Sequence, residues 1–407
     1  MRVLLCLLSD QHVPNLLSIH HYRPDRLVLV ESAAMQRREV AANLLAALEL
    51  GGLDYRDQAG VERVHIEPLE AEDDLDAVRR TLRRAYGRYP GAEWIVNVTG
   101  GTKPMSIATF DFFAGLIRRD VLSGRLVYTN VSRPARIIDL ENHTTEECSH
   151  RLSTRQFLAG YGFESRKADA KLDEGESRAR AWWDCARTIA RHAGSEPLLA
   201  LNDEDRKRSR DKGLTLRPEH FRTNHPETVN AIAECLSLEK ENGVLAGRLD
   251  KYGVQFLTGG WLEVFLWGLL ERAAGDLGIW DVRLGLEVGR KGDTVGNDFD
   301  VSFMRAHGLC MVECKSGSQG HDPGGDILYK MEAVTRQFRA LRVQSWLATT
   351  SDNVLDARSG QLKSNIATRA EIYHCRLVLR EQIAQLAAAP DDRRLLESLA
   401  STTSTGI

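Results

Sequence analysis

The chain has 407 residues, more than one hydrophobic core usually serves, so two or three domains are expected. Hydrophobic residues make up 43% and charged residues 27%, a globular balance that excludes a wholly disordered, collagenous or disulfide-scaffold chain. Lys and Arg total 54 against 57 Asp and Glu, and the formal charge of -3 leaves no global electrostatic case for coating nucleic acid, so any such site must be local.

The N-terminal run MRVLLCLLSDQH is too short to cross a membrane and has no small-residue cleavage site after it, so it reads as a first strand. Further strands are expected at Arg26–Val30, Arg63–Glu67 and Trp94–Thr99, the first spanning Arg2–Leu8. Helical spacings of three and four fall at Ser32–Leu50, Asp73–Tyr86 and from about Lys103 onward. This alternation predicts a doubly wound parallel sheet, a Rossmann-like α/β domain. Two runs, Arg125–Val131 and Ala135–Leu140, separated by Ser132, Arg133 and Pro134, predict an antiparallel hairpin that finishes the sheet, closing the domain at residues 1–145.

Residues 146–254 are charged and helix-favouring, and read as a helical connector. Their basic patch RKRSRDKG, residues 206–213, reads as a solvated face next to Asp205 and containing Asp211, with phosphate contact as the alternative. The last region, 255–407, opens with the apolar helix TGGWLEVFLWGLLERA. Strands follow at LGLEVGR, NDFDVSF and LCMVECKSG, then a helix over Ile327–Leu341, a strand over Ser345–Thr349 and a frayed polar tail. The order is α, β, β, β, α, β. No run approaches eighteen apolar residues, and the seven cysteines are scattered without CxxC spacing; both point to a cytoplasmic protein with reduced thiols and no membrane or structural zinc.

Along a strand, alternate side chains share a face, so Glu313 and Lys315 project together while Cys314 points away. Asp298 and Asp300 likewise share a face, Asp298 with the simpler alternative of marking the strand's start. If these strands pair, carboxylates and an amine converge, and like charges held together out of water call for a cation. Hard oxygen donors suit Mg2+ or Mn2+. Glu263, ringed by Trp261, Leu262, Val264, Phe265 and Trp267, either joins them or caps its own helix at the third position. Trp261 and Trp346 are packing residues first, with base stacking the alternative.

The order helix-Glu, strand-Asp, ExK resembles the PD-(D/E)xK nuclease superfamily. That resemblance implies catalysis by Glu263, Asp300, Glu313 and Lys315, and a metal held by Asp300, Glu313 and the Cys314 carbonyl. Lys315 would position or deprotonate the attacking water, and Lys330 or Gln337 would contact phosphate.

In NVTGGTKPMS, a Gly-Gly pair follows a strand and precedes a helix, which offers amides and a helix N-terminus to an anion. The GxxxxGK spacing of an ATP-hydrolysing loop is absent. The loop Ser9–His12, after the first strand, lies at the same sheet edge. The pairing of such a loop with a nuclease core resembles the CARF-domain effector nucleases of type III CRISPR systems. The resemblance implies a homodimeric nuclease acting on DNA or RNA and activated by cyclic tetra-adenylate. Its ligand residues would be Gly100, Gly101, Thr102, Lys103 and Met105, with a core position the equal alternative for Met105 at its helical spacing, and with Ser9, Asp10 and Gln11 assigned by position. The rival readings are a constitutive repair or restriction nuclease, and a non-enzymatic DNA-binding regulator.

Overall fold

A computed structural model of the chain describes residues 1–57, 62–194, 198–294, 296–317, 328–329, 331–332, 335–336 and 343–400. Strands β1 (Arg2–Leu7), β2 (Arg26–Ser32), β3 (Val64–Leu69), β4 (Glu93–Asn97) and β5 (Gly124–Asn130) form a parallel sheet in the order β3-β2-β1-β4-β5. The antiparallel strands β6 (Arg136–Asp139) and β7 (Thr145–Glu147) extend it beyond β5. From Val3 to Leu7 every β1 residue is buried, as a central strand covered by helices on both faces requires. The chain winds from β1 out to β3, then crosses back to β4 on the other side of β1. The loops after β1 and β4 therefore part at the point where the winding reverses, the place in such sheets where ligands settle.

One helix expected over Ser32–Leu50 is two. Ala33–Gln36 and Val40–Leu50 flank Glu39, whose φ of 55° lies in the left-handed region. The buried Glu31 carboxylate accepts the Ala41 N–H at 3.3 Å, which gives the second helix its own N-terminal partner.

Strand β8 (Phe163–Ser165) precedes a 23-residue helix, Asp169–Arg191. The connector continues with helices Asp203–Lys212 and Pro226–Cys235, and it also contains a small antiparallel sheet. That sheet comprises β9 (Leu214–Leu216), β10 (Glu239–Glu241) and β11 (Val244–Leu249), in the order β10-β11-β9. Arg206, Lys207 and Arg208 are exposed on the helix Asp203–Lys212, and Arg208 pairs with Glu204 at 2.9 Å, the arrangement of a solvated face.

The second large sheet contains β12 (Ile279–Arg290), β13 (Asn297–Arg305), β14 (Gly308–Lys315), β15 (Val343–Thr349) and β16 (Cys375–Leu379). Its order is β16-β15-β14-β13-β12-β8: antiparallel from β8 to β14, parallel from β14 to β16. Residues 328–329, 331–332 and 335–336 are helical, which completes the α, β, β, β, α, β order. Lys330, Gln337 and the C-terminal tail lie outside the described residues.

The helix Trp261–Arg272 packs in a core with Val301, Phe303, Val312 and Trp346. By length and composition Lys251–Arg272 could cross a membrane, but it is mostly buried within the protein. A different core joins the two large sheets. Leu286, Val288, Phe299 and Met311 from β12, β13 and β14 cluster with Leu44, Leu48, Phe157 and Leu158 from helices of the N-terminal half.

Candidate functional site

Pairing of β13 with β14 sets Val301 against Val312. One residue further along this antiparallel register, Asp300 comes opposite Glu313, and Lys315 shares the face of Glu313. Lys315 Nζ lies 2.7 Å from Glu313 Oε1 and 3.8 Å from Asp300 Oδ2. Here a side chain takes over from the ladder, since the Cys314 N–H donates to Asp300 Oδ2 at 2.6 Å. Lys315 Nζ also donates to the Cys314 carbonyl oxygen at 3.3 Å, so that carbonyl faces the cluster while the thiol is buried in the core behind it. Burial pushes the Cys314 thiol well up, and it stays a neutral S–H.

Glu263 arrives from the first turn of the helix Trp261–Arg272. Ahead of it the chain makes a wide π-type turn over Phe256–Gly260, with Gly259 at a φ of 155°. A Cβ on Gly259 would stand 2.9 Å from Ser316 Oγ, so glycine lets the turn approach the chain just past Lys315. The result is that Glu263 joins the cluster electrostatically. Burial, then the charges of Asp300 and Glu313, raise its carboxyl from 4.5 to about 8, against the pull of Lys315 and Lys167. Lys315 is drawn down by burial, but Asp300 and Glu313 outweigh this and its pKa is raised. Asp298 stands apart, exposed and 3.7 Å from Lys167 Nζ. Trp261 and Trp346 are 3% and 5% exposed, which makes them packing residues rather than stacking platforms.

At the first sheet, a buried polar network holds the loop after β4. Asn97 Nδ2 donates to Asn15 Oδ1 at 3.0 Å and Ser18 Oγ at 3.1 Å, and its Oδ1 accepts from the Thr99 hydroxyl at 2.6 Å. Thr99 Oγ1 in turn accepts the Thr129 N–H of β5 at 2.7 Å. Gly100 sits so close to β1 that a Cβ there would be 2.1 Å from the Leu7 carbonyl oxygen, and Gly101 has a φ of 74°. Thr102 caps the next helix, accepting the Met105 N–H at 3.4 Å while its hydroxyl donates to the Glu72 carbonyl at 3.0 Å. Lys103 is exposed at the helix start. Met105 was expected to touch ligand, but it is 1% exposed and sits under the loop, its sulfur accepting the Thr102 N–H at 3.5 Å. In the facing loop, Ser9 Oγ accepts the Gln11 N–H at 3.3 Å, and Asp10 pairs with Arg38.

Residues 3–157 match the family model of the Card1 CARF domain, and residues 250–386 match that of the Card1-like endonuclease domain. The chain thus pairs a Card1 CARF domain with a Card1-like endonuclease domain. Its fold is that of Can2 from Sulfobacillus thermosulfidooxidans, solved in complex with cyclic tetra-adenylate: TM-score 0.65, 20% identity, 98% of this chain and 100% of that one covered. Protein VC1899 from Vibrio cholerae aligns with a TM-score of 0.70 at 15% identity, over 99% of both chains. No curated protein matches the chain significantly.

Basic residues from outside the motif lie near the loop after β1, among the acids Asp10, Glu39, Glu49 and Glu164. A cavity of about 750 Å³ beside Ser9 and Asp10 is also lined by Arg37, Arg38, Arg155, Arg290 and Lys291. Arg290 ends β12, so the endonuclease sheet itself borders this cavity. Lys167 is the residue near the endonuclease cluster that sequence reading passed over; its signal, two basic residues before a helix in ESRKADAK, is weak.

The donor set suits a hard divalent cation: the carboxylates of Asp300 and Glu313 and the Cys314 carbonyl lie at one ammonium, and Glu263 is near enough to feel their charge, its carboxyl raised to about 8. A pH dependence follows for the metal-free protein. A carboxyl whose folded pKa is raised contributes stability fully below its unfolded value near 4.5, and loses it as pH rises through about 8. The metal-free Tm is expected to fall across that window, and Glu263→Gln is expected to flatten the slope. An equal slope in the variant, followed by circular dichroism, would remove Glu263 from the cluster.

Proposed function

We propose that the protein is a cyclic-tetra-adenylate-activated, Mg2+- or Mn2+-dependent nuclease of type III CRISPR antiviral defence, hydrolysing phosphodiester bonds of DNA or RNA as a cytoplasmic homodimer. The sensor would comprise residues 1–145, the connector 146–254 and the nuclease 255–407. The observation that carries this reading is the meeting of Asp300, Glu313, Lys315 and Glu263 in a chain whose CARF loops open at the reversal of the first sheet. A two-fold dimer suits a cyclic ligand of matching symmetry.

Asp300, Glu313 and the Cys314 carbonyl would hold the cation, which when bound polarises the phosphoryl oxygens and makes water a better nucleophile. Lys315, its pKa raised, keeps its proton and serves the reaction as a cation, steadying charge that grows on the phosphate. Glu263 orients the attacking water, and accepts its proton in those molecules in which the carboxyl is ionised. At the CARF loop, the amides around Gly100 and Gly101 and the Lys103 ammonium receive the ligand's phosphates, with Ser9, Asp10 and Gln11 on the facing side.

The test is cleavage of single- and double-stranded DNA and RNA with Mn2+, with and without cyclic tetra-adenylate. Cleavage is expected only when both are present and is expected to stop on chelation. Equal cleavage in the two ligand arms would defeat the sensor role, and cleavage that survives chelation would defeat the metal role.

A further inference from the structure

The endonuclease cluster is not an isolated pit. A cleft of about 620 Å³ runs from Glu263 between the helix Asp169–Arg191 and the segment around Tyr252, with β12 as its floor. Lys171, Arg178 and Trp182 fall seven and four residues apart on that helix, so they share one face, and all three line the cleft. Lys167 stands at the same end as Glu263, whose carboxyl feels its charge. Lys167 Nζ donates to the Gly285 carbonyl at 2.7 Å, which fixes the ammonium on the floor. Arg178 is braced twice: its guanidinium lies 3.5 Å from the centroid of the Tyr252 ring, and it donates to Glu174 at 2.9 Å.

A phosphodiester cut at Glu263 belongs to a strand that must continue away from it, and this cleft offers that strand Lys167, Lys171 and Arg178, with the acids Glu174 and Glu287 among its other charged groups. Resting on the nuclease reading above, we propose that the cleft is the track for the substrate's phosphate backbone on one side of the cut bond, with Lys167 and Lys171 contacting phosphates. Arg178 extends the row, and Tyr252 is a positioning residue that holds its guanidinium in place. Contacts made to phosphate alone carry no sequence information, so the track accepts any base order.

The test compares Lys171→Glu, Tyr252→Leu and, as a control, Lys207→Glu on the exposed helix Asp203–Lys212. Lys171→Glu is expected to raise KM about 10-fold at moderate salt, with a far smaller change in kcat, and to lower the slope of log affinity against log salt by about one. Lys207→Glu is expected to change neither. Tyr252→Leu and Arg178→Ala are expected to weaken binding by the same factor, and no further in combination, because each removes the same braced cation. Affinity for a fluorescent oligonucleotide, read by anisotropy with Ca2+ in place of the active metal, judges the cleft even if the wild type proves not to cleave; failure to cleave bears on the nuclease reading alone. Unchanged affinity and salt slope in Lys171→Glu, or an equal loss in Lys207→Glu, would overturn the track.

Discussion

Glu313→Gln is expected to lower metal-dependent cleavage by roughly a thousandfold, on the order of 4 kcal/mol of transition-state stabilisation. The substitution keeps the volume and leaves an amide oxygen for the Lys315 ammonium, now 2.7 Å from Oε1. What it removes is one negative charge from the set proposed to bind a cation. Stability should change much less, because the variant loses the charged partner of Lys315 together with a repulsion toward Asp300, and the metal-free variant is expected to melt close to wild type. The contrast with Asp300 makes the test sharp. Asp300 Oδ2 also accepts the Cys314 N–H at 2.6 Å, so Asp300→Asn should lose activity and keep its fold. Asp300→Ala should lose activity and about 1 to 3 kcal/mol of stability besides, because a backbone amide is left without its partner. Residual cleavage by Glu313→Gln within tenfold of wild type would take Glu313 out of the chemistry.

Most strands of both large sheets were legible because their residues alternate or run as β-branched blocks bounded by turn formers, and the ExK placement followed from period two; β7, β8 and β16, of three to five residues, were missed because they are too short to show a period. The helix Val13–Tyr22 escaped because nine of its ten residues are buried, which leaves no polar face for a 3.6-residue pattern to show. The break at Glu39 was hidden because what accompanies it, the bond from the Ala41 amide to the Glu31 carboxylate ten residues earlier, leaves no local pattern. The site residues most open to reading were those whose chemistry is costly where they sit: acids in strands, and glycines where β1 and β4 nearly touch. Lys167 and Arg290 were not legible for the opposite reason. Charged residues in polar sequence look alike, and only the folding of β8 and β12 into one sheet brings them to the two cavities. Met105 shows the limit of motif reading. It stands in the motif beside the proposed ligand residues, yet its helical spacing, which equally fits a core position, turns it inward, where it props the loop.

Gly100→Ala is expected to abolish activation by cyclic tetra-adenylate, and Lys103→Ala only to weaken it. In the first case the new Cβ would lie 2.1 Å from the Leu7 carbonyl oxygen, a backbone atom of β1 that cannot swing aside. The β4 loop must then lift from β1, which pulls Thr99 from its bond to Thr129 and misaims the amides around it. In the second case the loop keeps its shape and loses one charge-assisted contact, of about 1.5 to 3 kcal/mol, so half-maximal cleavage should need roughly 10 to 100 times more ligand. The maximal rate at saturating ligand should stay near that of wild type. That split separates a binding residue from a coupling residue, since a ligand shifts the enzyme only by the difference in its affinity for two arrangements. The two sites are in physical contact through a shared core, where Phe157 and Leu158 behind the sensor sheet pack in one cluster with Phe299, the neighbour of Asp300. A titration of cleavage rate against ligand concentration for both variants decides the matter. If Lys103→Ala lowers the maximal rate and leaves the half-maximal concentration unchanged, Lys103 transmits the signal rather than receiving the ligand. If Gly100→Ala activates like wild type, the ligand is bound elsewhere than at the reversal of the first sheet.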